Sequence, residues 1–317
     1  MAIPAIEVQD LVKVYKKRRK PSVRALNGVS FSVRQGEIFG LLGPNGAGKS
    51  TALKILTTLL QPTSGSAAVL GYDVTAQPLE VRRSICVVVQ EDAVELYLTV
   101  RNNFISFGQF HGLSRIEIGR RTGRIIELFG LEEYMNQQPI DLSGGVRRRV
   151  QVAKMFLVDK PVVFLDEATT GMDTISKRAT LNAIKEESKG GRTVILTTHM
   201  LEEAEELCTS LAILNHGNVI AEGNLDTVKA TTVWPYYLWM TFEKVTRTVH
   251  DALKRIPSVK LEVKGRSVEL TLKDQQMALK TVARMQKTGL LQHFEITGAS
   301  LEDVFVELLD KQRGGRG

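Results

Sequence analysis

Gly43-Pro-Asn-Gly46-Ala-Gly48-Lys49-Ser50-Thr51 decides how the rest of this chain is read. The stretch fits G-x-x-x-x-G-K-[ST], with a continuous apolar run at residues 37–42 before it and a helical pattern over residues 49–60 after it. Glycines let the backbone curl so that successive N–H groups converge on phosphate oxygens, and a helix N-terminus adds its dipole. Lys49 is placed to reach terminal phosphates, and the Ser50 hydroxyl to ligate Mg²⁺. The whole segment, Gly43, Pro44, Asn45, Gly46, Ala47, Gly48, Lys49, Ser50 and Thr51, is therefore the candidate cofactor-binding loop for a nucleoside triphosphate.

A second segment supplies what the first lacks. Val162-Val-Phe-Leu-Asp166-Glu167 is an apolar strand ending in two acids. Beside a phosphate loop, Asp166 holds Mg²⁺ through water, and Glu167 polarises the attacking water as general base. Val194-Ile-Leu-Thr-Thr-His199 closes another buried strand with a histidine. His199 is placed to sense the terminal phosphate; taken alone, a histidine there is more often a polar strand cap, and the reading leans on its company.

The 317 residues are 43% hydrophobic and 24% charged, ordinary for globular proteins and sufficient for about two domains. Two cysteines, Cys86 and Cys208, exclude a disulfide-built scaffold and the usual four-ligand zinc sites, and fit a reducing compartment. No apolar run approaches the roughly 18 residues that span a bilayer. The first ten residues have neither the basic flank nor the apolar core of a secretory signal. The net charge of +7 is concentrated in Lys16-Lys-Arg-Arg-Lys20, in Arg147-Arg-Arg149 and in Arg313 and Arg316. Such runs face solvent or contact anionic lipid or nucleic acid. They lack the interleaved aromatics of nucleic-acid binding, so no stable nucleic-acid partner is expected.

Short apolar strands alternate with helical patterns to about residue 223, the mark of an α/β domain. Strands are expected at residues 6–14, 23–33, 37–42, 162–166 and 193–197, one helical stretch at 100–131, and a closing hairpin at 211–215 and 218–222 about His216-Gly217. Beyond it, residues 236–242, 249–256, 259–263, 268–272, 275–286 and 291–296 read as β-α-β-β-α-β, the split βαβ order of ferredoxin-like domains. Ser300 and Asp303 cap a last helix whose apolar face carries Val304, Phe305, Leu308 and Leu309.

Leu142-Ser143-Gly144-Gly145 lies between the two halves of the phosphate site. With Gly43–Ser50, Asp166-Glu167 and His199 in this order, the chain resembles an ABC-transporter ATPase subunit over about residues 5–223. The resemblance implies a P-loop NTPase fold with a parallel sheet core, an antiparallel β subdomain and a helical subdomain. Residues 1–223 form the ATP-binding domain and 224–317 a small α+β accessory or regulatory domain. It implies ATP and Mg²⁺ as cofactors, Tyr15 stacking on adenine, and Gln90 touching Mg²⁺ and coupling to a membrane partner. Ser143, Gly144 and Gly145 then contact the nucleotide of an opposite subunit, and Asp173 lies at the dimer interface. Tyr15 alone is equally a surface strand aromatic.

Glycines opening a helix after Leu142 make a second anion site on the same polypeptide. Two subunits must therefore sandwich two ATPs head to tail. Three positions depart from the family's pattern: Val146, Ala168 and Met172. Residues 200–205, MLEEAE, and 300–305, SLEDVF, look like the ATPases of type-2 ABC exporters, including drug-resistance systems. That likeness implies a separate integral membrane permease, a homodimer or a paralogous ATPase partner, and a peripheral place on the cytoplasmic face of the membrane. The alternative is a soluble mechanical ATPase of the same superfamily, acting on ribosomes or nucleic acid. The final helix either packs on its own domain or helps these domains meet across the dimer.

Overall fold

Alternating apolar and polar residues give Ile6–Tyr15 (β1) and Val23–Val33 (β2) one covered face each. These strands open a computed structural model that describes residues 3–16, 21–90, 93–232, 236–258 and 260–314, with side chains to residue 310. Lys17, Arg18, Arg19, Lys20, Val259 and Arg316 lie outside the described residues, as does the side chain of Arg313. The chain divides into two compact units, Met1–Asn224 and Leu225–Gly317.

In the first unit Ile38–Leu42 (β3), buried throughout, runs into Lys49–Leu56 (α1). There follow Ser64–Val69 (β4), Tyr72–Asp73 (β5), Pro78–Ser84 (α2), Ile85–Val88 (β6), Val100–Phe110 (α3), Arg115–Phe129 (α4) and Gly144–Met155 (α5). Val162–Asp166 (β7), Thr174–Lys189 (α6), Thr193–Thr198 (β8), Leu201–Leu207 (α7), Ser210–Asn215 (β9) and Asn218–Asn224 (β10) complete it.

Two sheets sandwich α1. One is antiparallel in the order β2-β1-β4-β5, and the other has six strands in the order β10-β9-β3-β8-β7-β6. In the six-stranded sheet β9, β3, β8, β7 and β6 are parallel and β10 is antiparallel. Ile6, Leu11, Leu26 and Val29 share one core with Ala52, Ile55 and Leu56 of α1 and with Phe39, Leu41 and Phe164. Phe31 stacks on Phe39 at 5.3 Å between centroids, tying the sheets directly. Each fully buried large apolar side chain contributes about 1.5–3 kcal/mol here.

The strand order matters more than the strand count. Because β3, β8, β7 and β6 are adjacent and parallel, their carboxyl ends lie along one edge, where open α/β sheets bind ligands. That edge receives the loop at residues 43–48, His199, Asp166-Glu167 and Gln90. Strands β4, β5 and β6 were not anticipated. With only four residues, β6 carries no periodic signal, yet it delivers Gln90.

Three expectations need correction. The helix expected over 49–60 ends at Leu56: the Thr57 hydroxyl donates back to Leu53 O at 2.9 Å, and Thr58 turns to φ +63°. The single helical stretch at 100–131 is two helices. Gly112 at φ +78° ends the first, and Ser114 with Glu117 forms a capping box that starts the second. Gly108 lets α3 and α4 pack closely, since a Cβ there would lie 2.6 Å from Ile118. Finally, the run Arg147-Arg-Arg149 is not a basic patch open to lipid or nucleic acid: Arg148 and Arg149 are each 6% exposed.

The second unit runs Leu225–Lys229 (α8), Tyr236–Phe242 (β11), Arg247–Lys254 (α9), Lys260–Lys264 (β12), Ser267–Leu272 (β13), Gln275–Gln286 (α10), Leu291–Gly298 (β14) and Leu301–Gly314 (α11). Its sheet order, β12-β13-β11-β14 with antiparallel neighbours, is the split βαβ arrangement. The core comprises Leu238, Met240, Phe242, Val249, Leu253, Leu270, Val282 and Met285. Leu301 and Val304 of α11 are buried, whereas Phe305, Leu308 and Leu309 are half-buried. Among the described residues, no helix is long and apolar enough to cross a membrane.

Candidate nucleotide site

Local backbone geometry builds the phosphate loop. Gly43, Gly46 and Gly48 stand at φ +148°, +81° and +113°, in the region that favours glycine. Close packing also demands the first and last of these. A Cβ on Gly43 would lie 2.2 Å from Leu214 O, and one on Gly48 2.6 Å from Ala25 O. Around Gly46 there is nothing within 4 Å, so its face is open.

The loop forms one wall of a cleft of ≈ 510 Å³ lined by Tyr15, Val23, Ala25, Asn45 to Thr51, Gln90 and Glu167. Gly43 and Pro44 do not line the cleft; the Lys49 Nζ donates to their carbonyls at 2.7 and 3.2 Å. Lys49 is buried, and burial pulls its pKa below the ordinary lysine value; the nearby Glu167 and Asp166 push it the other way. An amine held this way gains a partner in an incoming phosphate. At the far end, Tyr15 Oη lies 3.4 Å from Thr51 Oγ1, with the Lys13 ammonium 5.5 Å from the ring centroid.

The acidic end is tightly organised. Asp166 is buried and accepts a hydrogen bond from the Thr197 hydroxyl on the neighbouring strand. Glu167 takes a left-handed φ of +48°, unusual for a residue with a Cβ, and its N–H donates to Thr197 O at 3.0 Å. This turns the carboxylate toward two partners. Gln90 Nε2 donates to Glu167 Oε2 at 3.3 Å, and His199 Nδ1 lies 3.1 Å from Glu167 Oε1. With a proton on Nδ1 facing the carboxylate, a neutral His199 keeps a lone pair on Nε2. To donate to a phosphate from Nε2 it must be imidazolium or leave Glu167.

Ser143, Gly144 and Gly145 do not line this cleft. Ser143 caps α5, its hydroxyl accepting from Val146 N at 3.3 Å, and Ser143 and Gly144 are exposed. Gly145 is buried, and a Cβ there would lie 3.1 Å from Met172 Cα and 3.4 Å from Asp173 N. Glycine at 145 therefore serves packing of α5 on the segment before α6. Asp173 caps α6, accepting from Ile175 N and Ser176 N at 3.0 and 2.9 Å; the Ser176 hydrogen bonds hold its carboxyl below the usual range. The Val146 side chain points inward, 8% exposed. Ala168 O accepts from Arg148 Nε at 3.2 Å, which needs no proline at that position.

Several contributors had no local signal. Gly217 N donates to Ala47 O at 2.9 Å, so the β9–β10 turn braces the phosphate loop from behind. Glu203, 2% exposed, accepts from Thr169 Oγ1 at 2.5 Å and pairs with Lys177 at 2.7 Å. That pairing gives the acidic segment at 200–205 a structural job next to His199. The roles of Arg148 and Thr197 have no local signal either.

Comparisons with known proteins agree with this geometry. The family model described as ABC transporter matches residues 26–170. The daunorubicin/doxorubicin resistance ATP-binding protein DrrA of Streptomyces peucetius is 34% identical over 316 residues, spanning 96% of this chain and 92% of that protein. Nod factor export ATP-binding protein I of Rhizobium sp. (strain N33) is 41% identical over 199 residues, 63% of this chain and 66% of that protein. Among solved structures, an ATP-binding subunit of an ABC transporter shares 31% identity at a TM-score of 0.64, covering 71% of this chain and 92% of that one. A dimeric ATP-binding cassette in a post-hydrolysis state, bound to ADP and Pi, shares 26% identity at a TM-score of 0.63 over 69% and 98%. The chain belongs to the ABC transporter family and is one of its ATP-binding, ATP-hydrolysing subunits.

Proposed function

We propose that this subunit drives an exporter from the cytoplasmic face of a membrane, with a separate integral membrane permease as its partner and a second ATPase subunit closing over ATP. One observation carries the two-subunit reading. The cleft at residues 45–51 is lined by the base-side aromatic, the phosphate loop and Glu167, whereas the exposed Ser143-Gly144 end of α5 is not among its lining residues. Two copies head to tail give each nucleotide both anion-binding helix ends. The exporter reading draws support from relatives named for drug resistance and for Nod factor export.

Each residue has a part in this reading. Tyr15 stacks on the base, Lys49 and the loop amides hold the phosphates, and Ser143 donates its hydroxyl to the partner's terminal phosphate. The oxygens of Ser50, Asp166 and Gln90 suit Mg²⁺, a hard cation held by few protein ligands and by phosphate. When bound, Mg²⁺ neutralises charge developing on the phosphate oxygens. Glu167 takes the proton of the attacking water, with Gln90 and His199 fixing its two oxygens. Hydrolysis reopens the sandwich and moves the permease. The unit 225–317 is an accessory domain.

Affinity purification of tagged Glu167→Gln protein from its own membranes, in mild detergent with ATP and moderately high salt, tests this. Stoichiometric recovery of a multi-spanning membrane protein supports the reading. Recovery of a dimer alone, or of ribosomes or nucleic acid, overturns the exporter role.

A further inference from the structure

Arg148 sits in the second turn of α5, 6% exposed, and donates to five backbone carbonyls. Its Nη1 reaches Val89 O at 2.6 Å and Gln90 O at 3.3 Å. Its Nη2 reaches Asp166 O at 2.8 Å and Glu167 O at 3.1 Å, and its Nε reaches Ala168 O at 3.2 Å. The side chain of Gln151 sides with the same group, accepting from Nη1 at 2.9 Å while its own Nε2 donates to Val89 O at 3.1 Å.

The identity of these carbonyls is what matters. They lie where β6 and β7 leave the sheet, on the backbones that carry Gln90 and Glu167, whose side chains meet at 3.3 Å. Glu167 also holds a left-handed backbone, a conformation that persists only where the surroundings over-determine it. Arg148 grips the carbonyl of that residue and those on either side. A planar guanidinium serves both chain segments with five donors in a fixed, divergent fork, whereas an ammonium has three donors on a single nitrogen and cannot reach all five carbonyls. At its N-terminus, one turn before Arg148, α5 presents Ser143 and Gly144 to solvent. A helix of 12 residues transmits a shift of its N-terminus to its second turn with little loss.

We propose that Arg148 is a positioning residue that sets the Gln90–Glu167 geometry and couples it to the terminal phosphate bound at the N-terminus of α5. Engagement of the second copy's nucleotide by Ser143-Gly144 is thereby felt at the subunit's own general base, which makes hydrolysis at the two sites cooperative. The inference rests on the two-subunit reading above.

The test is Arg148→Lys in the full-length protein, assayed for phosphate release, equilibrium binding of a fluorescent ATP analogue and thermal melting. The expected result is a kcat lower by about 10–100-fold, the size of effect that a small misplacement of a catalytic group produces. KM and analogue binding stay within about threefold, and the Hill coefficient falls from near two toward one. Gln151→Leu, which keeps Arg148 and removes one brace on Val89, produces a smaller loss of kcat in the same pattern. It decides the matter should Arg148→Lys fail to fold. Wild-type kcat and Hill coefficient in a folded variant overturn the proposal, as does a parallel loss of turnover, analogue binding and melting temperature. A wild-type protein that turns over without cooperativity, and stays monomeric with ATP as Glu167→Gln, refutes the two-subunit reading instead. The kcat-against-KM split then still tests Arg148 within one subunit.

Discussion

Replacing Glu167 by glutamine isolates the proton-transfer step, because the site can keep both of its contacts. In the native site the carboxylate takes hydrogen bonds from Gln90 Nε2 at 3.3 Å and from His199 Nδ1 at 3.1 Å. A glutamine oxygen still accepts from Gln90, and its amide donates to Nδ1 once His199 takes the other neutral tautomer, with its proton on Nε2. That tautomer can donate to a phosphate without a further proton. Only the base is lost. General-base catalysis contributes about 10²–10⁴-fold, so kcat falls by that factor, or about 3–5 kcal/mol of barrier. The left-handed backbone at residue 167 is unchanged, and the melting temperature moves by less than about 2 °C. Phosphate release, analogue binding and melting are measured together. Undiminished turnover refutes Glu167 as the base. Loss of nucleotide binding in step with turnover refutes the argument that the residue acts on water.

Gly48→Ala places a Cβ 2.6 Å from Ala25 O at φ +113°, whereas Gly46→Ala at φ +81° meets nothing within 4 Å. The first therefore abolishes analogue binding, and the second, carrying backbone strain of about 1–2 kcal/mol alone, weakens it by roughly fivefold to thirtyfold. Gly145→Ala improves helix propensity by up to about 1 kcal/mol but presses on Met172 and Asp173, so kcat drops several-fold while the melting temperature holds or rises. Burial pushes the thiols of Cys86 and Cys208 up to about 11 and about 12. At pH 8 a thiol reagent then labels neither in the native protein and both after denaturation.

What the sequence disclosed follows from where each signal is encoded. The phosphate loop is legible because its chemistry is a local backbone path, and only glycine takes it at three nearby positions. The acids at 166 and 167 are legible because two carboxylates interrupt an apolar run at the point where a buried strand ends. Gln90 is different: the four residues of β6 carry no period, and only its pairing with β7 shows that residue 90 leaves the sheet beside Glu167. The break between α3 and α4 was written plainly in Gly112 and in Ser114-x-x-Glu117, and reading a long polar stretch as one helix passed over both. Arg147-Arg-Arg149 misled for a physical reason. A run of charges announces solvent only while nothing inside the protein offers acceptors, and here five strand-end carbonyls do.

The same reasoning explains how the phosphate loop is braced from behind. Gly43 faces Leu214 O, Gly48 faces Ala25 O, and a Cβ on Gly217 would lie 2.8 Å from that same Ala25 oxygen. Hydrogen bonds close the set: Gly217 N donates to Ala47 O at 2.9 Å, and Asn27 N donates to Gly217 O at 2.8 Å. Strand β2, the phosphate loop and the β9–β10 turn are thus stacked through glycines that sit some 170 residues apart in the chain. The glycine at 217 reads as a hairpin residue in the sequence and acts as a spacer in the fold. Loop amides fixed this way meet phosphate without a further ordering cost, so binding free energy remains for closing the second subunit.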